Sequence, residues 1–256
     1  MLIKPDKVTK KRKRETFEKL FKDSAPSYDF FLMLVLSAIL VSIGLLINNS
    51  IVIIGGMLVA PILFSVLSFS MGIVVGDIKL MKRSGEIILQ SLLIVVVVSL
   101  VISFLTIDKK LTLEIFSYAQ PSLAYFLIAF FSGLAAAYSL VRPNLSEKFS
   151  GVAISVSLIP PLSALGIAFS FLDFKVIAGS FELFFLNLIG VIFASLIVFS
   201  VFKFFEVKDS IEKEIKAEEK IFQEEEKEKK KEKIEELTKQ VKEAAKILKE
   251  KKNIKL

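Results

Sequence analysis

The chain has no cysteine and no histidine. Without cysteine there is no disulfide, no thiolate nucleophile and no thiolate-bound metal. Without histidine the usual imidazole base and ligand are missing too. Any proton relay would have to run on carboxylates. No GxxxxGK[ST] phosphate loop occurs, so ATP hydrolysis by this chain is not expected. No Ser-Lys pair is evident in the apolar stretches, which leaves little chemistry to activate a nucleophile. The protein is therefore expected not to be an enzyme, and no cofactor or metal is expected. Charge is scarce as well: residues 30–205 contain seven Asp/Glu and nine Lys/Arg.

What occupies that region is apolar. The chain is 54% hydrophobic with mean hydropathy +0.63, above the roughly 45–50% apolar content of soluble domains. The fold class this implies is all-α, a polytopic membrane helical bundle. Six spans are expected, at residues 30–47, 51–75, 86–107, 122–141, 151–172 and about 176–205, the last long enough to tilt. They make a transmembrane domain over residues 30–205, between a basic segment 1–29 and a charged tail 206–256. The basic start leads into a full-length span, so no cleaved signal peptide is expected.

Of the net charge of +7, most sits in residues 1–29, with nine Lys/Arg against five Asp/Glu, while the tail is nearly balanced at sixteen against fifteen. The one basic block, KKRKR at 10–14, borders a span. There it reads as a topology signal or a contact with anionic lipid rather than a nucleic-acid site. With both tails on one side, the N-terminal segment and inner loops carry fourteen Lys/Arg and the outer loops three. The expected location is the cell membrane, multi-pass, with both termini cytoplasmic.

The apolar region also repeats itself. PSYDFFLMLVLSAILVSIGLL at 26–46 lies over PSLAYFLIAFFSGLAAAYSLV at 121–141 at an offset of 95. GDIKLMKRSGE at 76–86 lies over LDFKVIAGSFE at 172–182 at an offset of 96, pairing Asp77 with Asp173, Lys79 with Lys175 and Glu86 with Glu182. Pro61 then answers to Pro160 or Pro161. The repeats run over about 26–107 and 121–205. Three spans per copy is an odd number, so the second copy enters upside down: an inverted 3+3 repeat with Pro-interrupted second and fifth helices. Such prolines either kink a membrane helix or break it near the midplane, where freed backbone groups line a solute site.

Three motifs carry a family resemblance. GLLINNSIVIIGGMLVAPIL at 44–63, RPNLSEKFSGVAISVSLIPPLSALGI at 142–167 and LFFLNLIGVIF at 183–193 occur in that order. Together they resemble the uncharacterised hydrophobic domain family of bacterial and archaeal membrane proteins, also called domain of unknown function 389. The resemblance implies an integral membrane protein with no assigned substrate or reaction.

Flanking the spans, RETFEKLFK at 14–22 puts Phe17, Leu20 and Phe21 on one helical face and reads as a short interfacial helix or a positive-inside tail. The tail reads as a long cytoplasmic helix supported by Glu-to-Lys pairs such as Glu212–Lys216 and Glu235–Lys239. Ile234, Leu237, Val241, Ala244 and Leu248 form a short coiled-coil seam at 234–248, through which homo-oligomerisation is expected.

Candidate residues for a substrate pathway are Asn48, Asn49, Gly55, Gly56, Pro61, Ser65, Pro160, Pro161, Ser163 and Asn187, with Ser68 and Gln90 as further lining. Asn48 and Asn49 equally suit the tight turn between the first two spans. Asn187 sits where an unpaired amide is costly, so it must face protein or water. Asp77, Asp173 and Glu182 are candidates for ion or proton coupling, although the aspartates also suit helix caps. The pattern points to a secondary transporter or channel-like permease for an unidentified small solute or ion. The alternative is a membrane scaffold acting through the C-terminal helix, and the lipid bilayer is the expected surrounding in both.

Overall fold

Four of the helices open on a side chain that caps them. Ser27 accepts from the Phe30 amide, Asn49 from the Ile51 and Val52 amides, Asp77 from Lys79 and Leu80, and Asp173 from Lys175 and Val176. In a computed structural model, residues 8–106, 110–142 and 158–207 are described. The helices are α1 (Lys10–Asp23), α2 (Tyr28–Leu46), α3 (Ser50–Val59), α4 (Ile62–Val75), α5 (Ile78–Leu105), α6 (Leu113–Ser117), α7 (Leu123–Val141), α8 (Ile159–Phe171) and α9 (Phe174–Val201), followed by a 3-10 turn, Phe204–Val207. Among the described residues there is no strand. The chain divides at Val207/Lys208. The expected tail helix, with its coiled-coil seam at 234–248, lies outside the described residues.

Four helices are individually long and apolar enough to cross a membrane: α2, α5, α7 and α9. The α3–α4 pair makes a fifth span if taken together, bent by 53°. The bend has a local cause. Pro61 has no N–H to continue the ladder, and Ala60, extended at ψ 123°, ends α3. Of the expected fifth span, 151–172, the described part is α8, whose 13 residues span about 20 Å at 1.5 Å per residue, short of the roughly 30 Å hydrocarbon core. Five spans, not six, is therefore the most that the described residues supply. Two expected boundaries also move. Helix α5 starts at Ile78, not residue 86, because the Asp77 cap draws the charged IKLMKRSG stretch into its first turns. Helix α9 ends at Val201, not residue 205, and Lys203 turns away with φ 55°.

Helix ends sort onto two faces. On one, Arg12 donates to the Leu140 and Val141 carbonyls ending α7, and Lys13 Nζ donates to the Lys203 carbonyl 2.9 Å away and contacts Glu206. Two cations of the basic block thus satisfy bare carbonyls at helix C-termini, where positive charge is favoured. The same α1 lays Phe17 and Leu20 inward, onto the bundle rather than into lipid. Leu20 accepts from Ser68 of α4, and Arg83 of α5 stands 4.5 Å over the Phe21 ring. On the opposite face Thr112 donates to the Leu45 carbonyl ending α2, and Asn48 accepts from the Glu114 amide. So α2 and α5 start on the α1 face, whereas α7 and α9 end on it.

The core lies around α4 and α8. Each packs against both long helices, α5 and α9. In α8 residues 159–168 are all buried, while α5 turns Leu89, Leu93, Val97 and Val101 outward. A helix apolar and buried all round belongs at the centre of a bundle.

Candidate functional site

Tight turns join α4 to α5 and α8 to α9, and they match bond for bond. Gly76 and Leu172 take the left-handed conformation, with φ 72° and 54°. The Asp77 amide then donates to the Gly72 carbonyl, as the Asp173 amide does to Ala168, at 2.9 and 3.4 Å. Asp77 Oδ1 accepts from Lys79 and Leu80 at 2.9 and 3.0 Å; Asp173 Oδ1 accepts from Lys175 and Val176 at 3.0 and 3.1 Å. Both aspartates cap a 28-residue helix. The offset through these turns is 96, at which Pro61 falls opposite Ser157 and Pro161 opposite Ser65, a shift of three to four residues from the Pro61–Pro160/Pro161 pairing.

Capping gives the aspartates a role that a neutral amide can fill. Asn caps helices as well as Asp does, whereas Ala costs about 1 kcal/mol. Asp77→Asn and Asp173→Asn should melt in detergent like the parent, and Asp77→Ala and Asp173→Ala should melt lower. If the Asn variants lose as much as the Ala variants, the negative charge itself is needed there.

The offset of 96 brings out a pattern along the two long helices. Ser84, Ser91 and Ser99 on α5 correspond to Ser180, Asn187 and Ser195 on α9, and all six are buried. Ser91 and Asn187 are each the fourteenth residue of a 28-residue helix, hence halfway across. Ser195 donates to Ser70 of α4 at 2.8 Å. The position corresponding to Ser70 is Gly166 of α8, and a Cβ built there would lie 2.8 Å from the Ser99 Cβ. The α4–α9 contact thus has its counterpart in the α8–α5 contact.

Some buried serines in this bundle bond to the preceding turn of their own helix. Ser42 donates to Ala38 and Ser70 to Val66. The hydroxyls of Ser65, Ser84, Ser91, Ser163 and Ser180 are fully buried and have no hydrogen-bond partner among the described residues. Unpaired buried polar groups are rare in native interiors and mark places with another use. Ser65 lies in the first turn of α4 after Pro61, and Ser163 in the first turn of α8 with Pro160 and Pro161. Counted from the Gly76–Asp77 turn, Ser65 is eleven residues back, level with Ile88, which lies between Ser84 and Ser91. Counted from Leu172–Asp173, Ser163 is nine back, level with Glu182, between Ser180 and Asn187. The five hydroxyls and the Asn187 amide thus make up a set of buried polar groups, a polar seam, spread along the two central helices and the two long ones packed against them.

Other expected residues fall elsewhere. Asn48 and Asn49 form the α2–α3 turn: Asn48 has φ 56° and holds α6, Asn49 caps α3, and Ser50 bonds Glu114. Gly55 faces open space on the outside of α3, whereas a Cβ on Gly56 would meet Val41 Cγ2 at 2.7 Å, so Gly56 serves close α2–α3 packing. Ser68 is engaged with α1. Glu86, Gln90 and Glu182 are exposed on the outer surface, away from the seam. Ser65, Ser163 and Asn187 are candidates by sequence; Ser84, Ser91 and Ser180, equally buried, are not among them. The offset of 96 already seen in the charged turns, carried along the helices, would have singled them out.

The profile of the family described as "Domain of unknown function (DUF389)" matches residues 57–193, just over half of the chain. An uncharacterised protein of Methanocaldococcus jannaschii is 27% identical over 184 residues, covering 69% of this chain and 55% of that protein. The chain thus spans about half the length of the curated relative it matches. No solved structure matches it.

Proposed function

We propose a function from the premise that this chain belongs to the DUF389 family, whose function is unknown: it is a secondary transporter or channel-like permease, built as an inverted repeat with its solute pathway along the polar seam. The observation that carries this reading is the set of fully buried serine hydroxyls without partners among the described residues: Ser84 and Ser180 at corresponding positions of two long apolar helices, Ser91 at the position corresponding to the buried Asn187, and Ser65 and Ser163 beside the prolines. Polar groups at the bilayer midplane are costly unless they face protein or a water-lined path. The repeat is supported by helix lengths of 19 and 19 residues for α2 and α7, and 28 and 28 for α5 and α9. Its inversion is supported by the ends of those helices, since the first of each pair starts on the α1 face and the second finishes there. Arg12, Lys13, Arg142 and Lys203 also gather on that face, which supports a cytoplasmic location for it.

The chain's lack of cysteine makes the test direct. Single cysteines at Ser65 and at Ser163 are to be probed with a membrane-impermeant thiol reagent from each side of sealed vesicles. Labelling at both positions is the expected result. If neither reacts while cysteines in the loops do, the seam is dry and the permease reading fails.

A further inference from the structure

The chemistry of the seam narrows what passes through it. Resting on the permease reading, we infer that the permeating species is a small uncharged hydrogen-bonding solute, of the size and kind of urea or glycerol, rather than an ion. Three observations converge on this class. First, the groups at the seam are hydroxyls and one amide, Ser65, Ser84, Ser91, Ser163, Ser180 and Asn187. Each hydroxyl both donates and accepts, and the amide offers one of each kind, so the lining complements a solute that does likewise. Second, Lys13 is the only charged side chain buried among the described residues, and it sits at the end of the bundle on the carbonyl of Lys203. The acids nearest the seam in sequence point elsewhere: Glu86 and Glu182 are exposed on the outer surface, while Asp77 and Asp173 cap helices at the turns. An ion at the midplane would therefore meet no counter-charge from these elements, and a charge taken into low dielectric without one is strongly disfavoured. Third, the backbone charges at the break offset each other. The negative C-terminal end of α3 and the positive N-terminal end of α4 meet at Ala60–Pro61, so the break presents no field of a single sign.

Hydroxyls spaced along α5 and α9 would pass such a solute from one to the next by exchange of hydrogen bonds. Water in the solute's shell is replaced by Ser84, Ser91, Asn187 and Ser180 in turn, and no proton or electron moves.

The full chain is to be reconstituted into phosphatidylcholine–phosphatidylglycerol vesicles. Glycerol and urea entry is followed by stopped-flow light scattering, and Na⁺, K⁺ and Cl⁻ permeation by membrane-potential dyes. We expect glycerol or urea entry several-fold faster than in protein-free vesicles, with no change in potential. The double variant Ser84→Ala/Ser180→Ala removes two hydroxyls without adding bulk, and it should slow that entry while melting close to the parent. An ion-driven potential that the same double variant abolishes would overturn the inference and leave the permease reading standing. Absence of glycerol and urea entry overturns the inference in every case. The labelling at Ser65 and Ser163 then decides whether the permease reading falls with it.

Discussion

Gly166→Val should unseat α8 and destabilise the protein by on the order of 3 kcal/mol or more, at the upper end for overpacked sites. A Cβ at this position would lie 2.4 Å from the Val96 carbonyl oxygen, 2.8 Å from the Ser99 Cβ and 3.2 Å from the Leu100 amide nitrogen. Two of the three are backbone atoms of α5, which cannot step aside without bending a 28-residue helix. Nor can α8 retreat, since its residues 159–168 are buried on every side. Close packing transmits such an intrusion rather than absorbing it. Gly55→Val is the control, because a Cβ there meets nothing within 4 Å. Thermal unfolding in detergent should show a large fall for Gly166→Val and little change for Gly55→Val. Equal melting of the two variants would mean that α8 is not seated on α5 as described.

The second large effect concerns the midpoint of the seam. Asn187→Leu replaces an amide by an alkyl group of nearly the same volume, at a site only 2% exposed. The fold should survive, with a loss of about 1 kcal/mol for the missing hydrogen bond. Solute entry into proteoliposomes should fall to the level of empty vesicles, because the central polar contact becomes a hydrophobic collar. Asn187→Ser gives α9 the residue that α5 carries at the corresponding Ser91, and it should retain most of the flux. If Asn187→Leu transports like the parent, the pathway does not run past the centre of α9. If Asn187→Ser is as impaired as Asn187→Leu, the amide has a specific role that a hydroxyl cannot take over.

Elements whose causes are local were legible in the sequence. The spans at residues 30–47 and 122–141 come within two residues of α2 and α7, because each is an apolar run opened by Pro-Ser. The break at Pro61 was legible for the same reason: a missing N–H acts on the adjacent turn wherever it stands. The family resemblance also rested on contiguous motifs, and the profile match over residues 57–193 bears it out.

The start of α5 was placed eight residues late, since charge was taken to end a membrane helix, whereas the Asp77 cap extends it into polar territory. The role of the basic block was out of reach, because Lys13 meets Lys203 and Glu206 across 190 and 193 residues of chain.

By itself, then, the sequence determined an all-helical, membrane-embedded chain with capped and Pro-broken helices and two related turns. Hydrophobic runs, caps and prolines act within a few residues, and chemistry at that range is written in consecutive letters. Tertiary structure alone decided which serines matter. Ser70 and Ser84 are equally small and equally buried, yet one meets Ser195 of α9 and the other finds no partner among the described residues. A hydroxyl on an apolar helix takes its role from the surface packed against it, and only the meeting of α4 and α8 with α5 and α9 supplies that surface.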